Sequence, residues 1–103
     1  MRDIDLLIDE AWELATGQPL RARNLTEHAQ KQAIERDYER GIAYSLRNMA
    51  YVHLMLSDIE TALPQAEEAL THLHALNEPT GAATAICIKA LNNCCSVIYD
   101  IQI

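Results

Sequence analysis

The sequence predicts an all-α fold in which antiparallel helix pairs stack as a short solenoid of about five helices. Small residues alternate with larger aliphatic residues at helix-facing intervals through residues 41–70. Parts of this pattern return 40 residues away, and self-similarity at such a period is typical of stacked repeats. The small positions are Ala43, Ala50, Ala62, Ala66 and Ala69, and the larger ones are Leu46, Met49, Leu56, Leu63, Leu70 and Leu73. Alanines at this spacing let two helices approach closely.

The first two predicted helices are joined by a short turn. Helix 1 covers about residues 4–16 and is stopped by Gly17 and Pro19, and helix 2 runs over about residues 20–36. The charged residues of helix 2 lie mostly opposite its apolar face and should meet water. The inward stripe is Ile4, Leu7, Ile8, Ala11, Leu14 and Ala15 in helix 1, and Ala22, Leu25, Ala29 and Ala33 in helix 2.

Three further helices are predicted. They run over about residues 39–56, about residues 59–76, and from about residue 82 to the end of the chain. Ser57 and Asp58 break the pattern, and Asp58 is the predicted N-cap of helix 4. Pro64 lies past the positions at which a helix tolerates proline, so it should cause a kink or a late start of helix 4.

The composition fits one small helical repeat domain over residues 1–103. Phenylalanine is absent and there is a single tryptophan, so we expect an aliphatic, alanine-rich core. The net charge of −7 argues against nucleic acid as a partner, because binding phosphates needs clustered lysine and arginine. The N-terminus is too acidic for a signal peptide, and no apolar run approaches the roughly 20 residues of a membrane span. We therefore expect a cytoplasmic protein with no membrane partner.

No catalytic, metal or cofactor site is expected. The histidines do not form an i, i+4 metal pair, and the motifs of nucleotide binding, zinc proteases and serine hydrolases are absent. Cys87, Cys94 and Cys95 all lie in the last helix, so they cannot build a disulfide framework. Buried, reduced thiols are the main interpretation, and a redox sensor with an exposed thiolate is the alternative. The chain is predicted not to be an enzyme.

The central part of the chain resembles the tetratricopeptide repeat, in its long form of about 40 residues. The resemblance lies in the run at residues 46–50, the Leu-Ser-Asp junction at residues 56–58, and the spacing of Ala62, Ala66 and Ala69. It implies a right-handed superhelix. The implied units are repeat 1 at about 4–38, repeat 2 at about 39–78, and the first helix of repeat 3 at about 80–103. A HEAT-like helix-pair repeat is the structural alternative.

Within this resemblance the register of the last helix is ambiguous. Gly81 matches Gly41 at an offset of 40, whereas residues 91–95 match residues 46–50 at an offset of 45. Both alignments cannot hold. Which face of helix 5 meets its neighbours is therefore left open.

The resemblance implies a binding surface on the first helix of each pair, which in this family lines the concave side and binds extended peptides or partner helices. On helix 3 the exposed concave positions would be Tyr44, Arg47, Tyr51 and Met55. Tyrosine, arginine and methionine are residues that interfaces favour. The alternative is that Tyr44 and Tyr51 only pack against helices 1 and 5.

The last helix is apolar on more than one face, so something should cover it. Either further repeats follow, or two chains bury this surface in a homodimer. The predicted self-association residues are Leu91, Cys95, Ile98 and Ile101.

Three functions follow from the sequence as hypotheses. The leading one is a protein-interaction module, which by the resemblance would be the N-terminal regulatory part of a larger bacterial signalling protein. The second is a self-assembling homodimeric scaffold, and the third is a small-ligand or redox sensor that uses the cysteine-rich helix.

Overall fold

The described residues form five α-helices, which confirms the all-α prediction. The computed structural model describes the backbone of residues 2–102 and the side chains of residues 2–91. The helices are α1 (Arg2–Leu14), α2 (Pro19–Glu35), α3 (Glu39–Met55), α4 (Ile59–Ala75) and α5 (Pro79–Gln102). Over this described part of the chain, no helix is both long enough and apolar enough to cross a membrane.

The helices lie in two layers. Each helix packs against the next along the chain, and α3 also contacts α1 and α5. By contrast α2 and α4, all of whose residues are described, do not contact each other. Thus α1, α3 and α5 form one layer, and α2 and α4 form a second layer on one side of it. This is the arrangement of a stacked helical repeat.

The turns repeat every 20 residues. A residue with positive φ lies two positions after the last residue of α2, α3 and α4. These residues are Asp37 (52°), Ser57 (65°) and Asn77 (59°). In each turn the backbone N–H of the residue after the positive-φ residue donates to the carbonyl of the third-last helical residue, as from Asp58 to His53 at 2.8 Å. These bonds define a Schellman motif, which satisfies carbonyls left open by the helix end.

The predicted N-cap of α4 is confirmed. The Asp58 carboxylate accepts a hydrogen bond from the backbone N–H of Thr61 at 3.3 Å. Since the Schellman turn also ends at Asp58, one short segment both closes α3 and opens α4.

The register of α5 follows the offset of 40. Gly41 and Gly81 are both buried, and a Cβ on either would strike its neighbours. Gly41 lies against Ala33 and Ile4, whereas Gly81 lies against Leu73 and Tyr44, which are the residues 40 positions further on. The two glycines therefore occupy equivalent positions, and the alternative offset of 45 is wrong.

The core is aliphatic and rich in alanine, as predicted. Buried alanines recur at two equivalent positions of α2 and α4, Ala22 with Ala62 and Ala29 with Ala69, and Ala33 of α2 and Ala66 of α4 are buried as well. The inward stripe of α1 is confirmed, with Leu7 and Leu14 half-buried and the other four positions buried. Burying apolar surface stabilises a fold by about 25 cal/mol per Å², and an alanine side chain buries little of it. The fold therefore depends on many close contacts rather than on a few large side chains.

The structure corrects three sequence-based expectations. The late start of α4 is wrong, because the helix begins at Ile59 and continues through Pro64. The carbonyl of Glu60, which the proline leaves without a helical donor, belongs to an exposed residue and can be hydrated. Helix α5 begins at Pro79 rather than near residue 82, since proline fits the first helical position. Cys87 is exposed rather than buried, and Cys94 and Cys95 lie outside the described side chains.

Replacing Ser57 by glycine should stabilise the fold. Serine at φ 65° carries the steric cost of the left-handed region, which glycine avoids. We expect a gain of about 0.5–1 kcal/mol in the free energy of unfolding, measured by urea denaturation. The matched variant Asn77→Gly should gain less, because asparagine tolerates this region better than serine does. A Ser57→Gly variant no more stable than the parent would contradict this account of the turn.

Replacing Pro64 by alanine should also stabilise the protein. The change restores the hydrogen bond to the carbonyl of Glu60, while the unfolded chain gains some freedom. The net gain expected from these opposing terms is about 1–2 kcal/mol, read from the urea midpoint. Lys31→Ala, at an exposed position of α2, serves as a control and should change stability by less than about 0.5 kcal/mol.

Candidate partner-binding site

An ionic network ties α1 to α3 and to the turn before α5. Arg40 donates from Nε to Glu78 at 2.8 Å and from Nη1 to Asp5 at 3.3 Å. The hydroxyl of Tyr38 donates to Asp5 at 2.9 Å, and that of Tyr44 donates to Glu78 at 3.1 Å. The hydrogen bond from Arg40 lowers the pKa of Glu78 below its ordinary value. Through Arg40 of α3, this network links α1 on one side of the layer to the turn before α5 on the other.

Arg47 lies next to this network and is buried, with only 6% of its surface exposed. Its guanidinium stands over the ring of Trp12 at 4.0 Å and near the ring of Tyr44 at 4.8 Å, both measured to the ring centroid. Nη1 donates to the hydroxyl of Thr84 at 3.3 Å. Arg47 of α3 thus contacts one side chain of α1 and one of α5.

Asn48 is the second buried polar residue of this centre. Its Oδ1 accepts from Nη2 of Arg47 at 2.8 Å and from Nε at 3.3 Å. Its Nδ2 donates to the backbone carbonyl of Ile8 at 2.9 Å, which connects α3 to α1. The amide therefore satisfies both the guanidinium and a helix carbonyl.

The charge of Arg47 has no close anionic partner. Among the described residues, no carboxylate lies within 4 Å of its guanidinium. Burial lowers the pKa of Arg47 to about 10, while Tyr44 and the more distant Asp9 act against that shift. The group stays protonated at neutral pH. Aromatic faces and neutral oxygens, rather than an ion pair, stabilise the cation.

Two cavities adjoin Arg47 in the α1–α3–α5 layer. The first, which we call the polar cavity, has a volume of about 220 Å³ and is lined by Asp5, Ile8, Asp9, Arg40, Tyr44 and Arg47. The second, the apolar cavity, has a volume of about 170 Å³ and is lined by Trp12, Tyr51, Thr84, Cys87, Ile88 and Leu91. All three helices of the layer contribute to the apolar cavity. Arg47 lines the polar one and contacts Trp12 and Thr84 of the apolar one.

Two half-buried aromatic rings form one wall of the apolar cavity. The centroids of Trp12 and Tyr51 lie 4.9 Å apart with an angle of 36° between the ring planes. Tilted aromatic pairs at this distance attract each other beyond their area of contact. Opposite them, Cys87 and Leu91 of α5 are exposed, so the cavity opens to solvent along that helix.

The expected exposure of Tyr44 and Arg47 is wrong. They are 8% and 6% exposed, because α1 and α5 both pack against this side of α3. For Tyr44 the packing alternative holds, since its ring lies against Gly81 of α5. Tyr51 lines the apolar cavity, whereas Met55 is exposed and lies outside both cavities. A partner-binding role for any of the four remains a prediction.

The predicted self-association residues are only partly placed. Leu91 is exposed and lines the apolar cavity beside Trp12 and Tyr51. Cys95, Ile98 and Ile101 lie outside the described side chains. A role for Leu91 between two chains stays a prediction.

Sequence reasoning missed Trp12 as a site residue and Asn48 as its support. A sequence signal for Trp12 was present, because it is the only tryptophan and lies four residues after Ile8 of the inward stripe. Asn48 gave no such signal, since an asparagine in mid-helix is more often exposed than buried.

Within residues 2–91, no three side chains of histidine, cysteine, aspartate and glutamate gather as metal ligands would. The arrangement is an apolar cavity beside charged groups. No family model, curated protein or solved structure matches this chain.

Replacing Asn48 by alanine should destabilise the fold strongly. The change leaves two N–H groups of the buried Arg47 without partners and removes the side-chain hydrogen bond to the Ile8 carbonyl, which connects α3 to α1. We expect a loss of about 2–3 kcal/mol in the free energy of unfolding, measured by urea denaturation. Asn24→Ala, at an exposed position of α2, is the matched control and should change stability by less than about 0.5 kcal/mol. Equal effects of the two variants would show that the buried amide is not needed.

Proposed function

We propose that this chain is a protein-interaction module that binds a partner helix or an extended peptide at the apolar cavity. The observation that supports it best is the cavity itself, which three helices build beside the tilted pair of Trp12 and Tyr51 rings. Tryptophan and tyrosine dominate the energetics of protein interfaces, because they bury a large area at a small entropic cost. Their half-buried rings leave surface for a partner to cover.

The size of the cavity limits what can enter it. A cavity of about 150 Å³ inside a protein accepts benzene. The apolar cavity, at about 170 Å³, therefore has room for one ring or one branched aliphatic side chain. We propose that the partner inserts a single leucine, isoleucine, methionine or phenylalanine side chain as its anchor.

The charge around the site favours a basic partner. Asp9 is exposed at the polar cavity, next to the apolar one, and the chain as a whole carries a net charge of −7. Arg47 is held by Asn48 and Thr84 and does not offer its charge at the surface. A lysine or arginine near the apolar anchor would approach Asp9 favourably, which speeds association and helps set register.

The resemblance to tetratricopeptide repeats supports the same class of function. It also supports the larger context proposed from the sequence, a regulatory part of a bacterial signalling protein. That context rests on the resemblance alone.

Leu91→Glu tests the apolar cavity. The experiment selects peptides from a displayed random library on the parent protein and then measures the binding of the selected peptides to each variant. We expect the selected peptides to share a bulky apolar residue with lysine or arginine nearby. A carboxylate at position 91 should weaken them at least about tenfold, which corresponds to about 1.4 kcal/mol. Because Trp12 is the only tryptophan, its fluorescence reports occupancy of the cavity directly.

Leu20→Glu is the matched control. Leu20 is a leucine of similar exposure on α2, away from both cavities, and its variant should bind the selected peptides like the parent. The proposal fails if Leu91→Glu and the parent bind equally well, or if binding leaves the fluorescence of Trp12 unchanged.

A further inference from the structure

One face of α5 is uncovered although its counterpart on α3 is buried. We call this the end face and define it as Ala83, Ile86 and Ala90. All three residues are exposed, whereas the residues 40 positions earlier, Ala43, Leu46 and Ala50, are buried. Since α3 and α5 share the register set by Gly41 and Gly81, the end face is equivalent to the surface of α3 that a neighbouring helix covers, and no described residue covers it.

The fold itself shows what kind of helix covers such a face. On α3 the covering helix is α4, whose buried small residues pack against it. Ala43 and Leu46 cluster with Ala69 and Leu73, and Ala50 clusters with Ala62 and Ala66. The occupant of the end face should therefore carry small residues at intervals of four and three, as Ala62, Ala66 and Ala69 do.

Helix α5 carries such a stripe itself. Ala83, Cys87 and Ala90 are spaced by four and three residues, and all three are exposed. Helix α5 thus has a surface equivalent to the one on α3 that α4 covers, and it also has the small-residue spacing with which α4 packs there. A surface with both properties is complementary to itself, which is what a two-fold interface requires.

A cavity of about 240 Å³ adjoins the end face. It lies between α4 and α5 and is lined on its apolar side by Leu73, Pro79, Ala82, Ala83 and Ile86. Ile86 is 49% exposed at its rim. A bulky apolar side chain from a second helix could fill this space.

The charge distribution permits two copies to meet here. Although the chain carries a net charge of −7, Lys89 is the only charged residue between positions 79 and 91. Its ammonium lies 3.8 Å from Glu67 of α4, so it is engaged within the chain. Over residues 79–91, helix α5 therefore brings no carboxylate of its own to a second copy.

We infer that a second copy of this chain docks its α5 on the end face, forming a two-fold helix pair through Ala83, Ile86 and Ala90. None of these three residues lines the apolar cavity, although the neighbouring Cys87 does. The inference does not depend on the proposed peptide-binding function.

Ile86→Glu tests the inference by analytical ultracentrifugation across the micromolar range. The parent should be a dimer whose mass falls on dilution. The variant should stay monomeric, with a dissociation constant raised at least about 100-fold, because the interface would bury two unpaired carboxylates. Far-UV circular dichroism and thermal melting show whether each variant is folded. Ile34→Glu, which changes a 56% exposed isoleucine on α2, is the matched control and should dimerise like the parent.

A charge pair tests whether the face meets its own copy. Ile86→Lys should also be monomeric, and mixing it with Ile86→Glu should restore a dimer of mixed composition. A parent that is monomeric at every concentration overturns the inference, as does a dimer that survives Ile86→Glu. Leu91→Glu should leave the dimer intact, so a failure here is distinguishable from a failure of peptide binding.

Discussion

The constraint on which the rest of this structure depends is the even spacing of its turns. Helices α2 to α5 begin at residues 19, 39, 59 and 79, so every second helix starts in the same register. The three Schellman turns fix this spacing through the backbone, at the cost of a non-glycine residue in the left-handed region each time. Because alternate helices are equivalent, α1, α3 and α5 can share one layer and build one continuous surface. The apolar cavity and the end face both follow from that layer.

Arg47 and Asn48 give this layer a specific arrangement that small apolar residues alone would not. Alanine stripes can slide past each other with little penalty, whereas the buried guanidinium of α3 has its interhelical acceptor only where Thr84 of α5 stands. The hydrogen bond of Asn48 to the Ile8 carbonyl fixes the position of α1 along the axis of α3. The cation in turn holds the Trp12 ring at 4.0 Å, so the wall of the apolar cavity is ordered by a polar centre. Removing one member of such a buried polar group destabilises a protein strongly, even where the whole group adds little net stability.

The sequence was sufficient for the helices and their inward stripes, because alanine spacing and cap residues are local signals. Asp58 is an example, since its role depends only on the three residues after it.

The exposure of Tyr44 and Arg47 could not be predicted in this way. Four other helices contact α3, and whether a side chain of α3 is covered depends on Trp12 and Gly81, which lie far away in sequence. The register of α5 was likewise undecided, because the two glycines and the run at residues 91–95 matched at different offsets and only packing distinguishes them. Pro64 was overestimated as a helix breaker, since its effect depends on whether the freed carbonyl is exposed.

The equivalence of positions 40 residues apart also governs how a chain of this kind can change in length during evolution. Adding or losing one residue inside a helix rotates every later residue by about 100°, which would turn Gly81 and its neighbours away from Tyr44 and Leu73. Duplicating a complete segment such as residues 39–78 would instead reproduce each contact with a new partner of the same type. The same turns that hold the helices in register therefore make whole helix pairs the natural step of growth, and they confine tolerated insertions to the junctions between them.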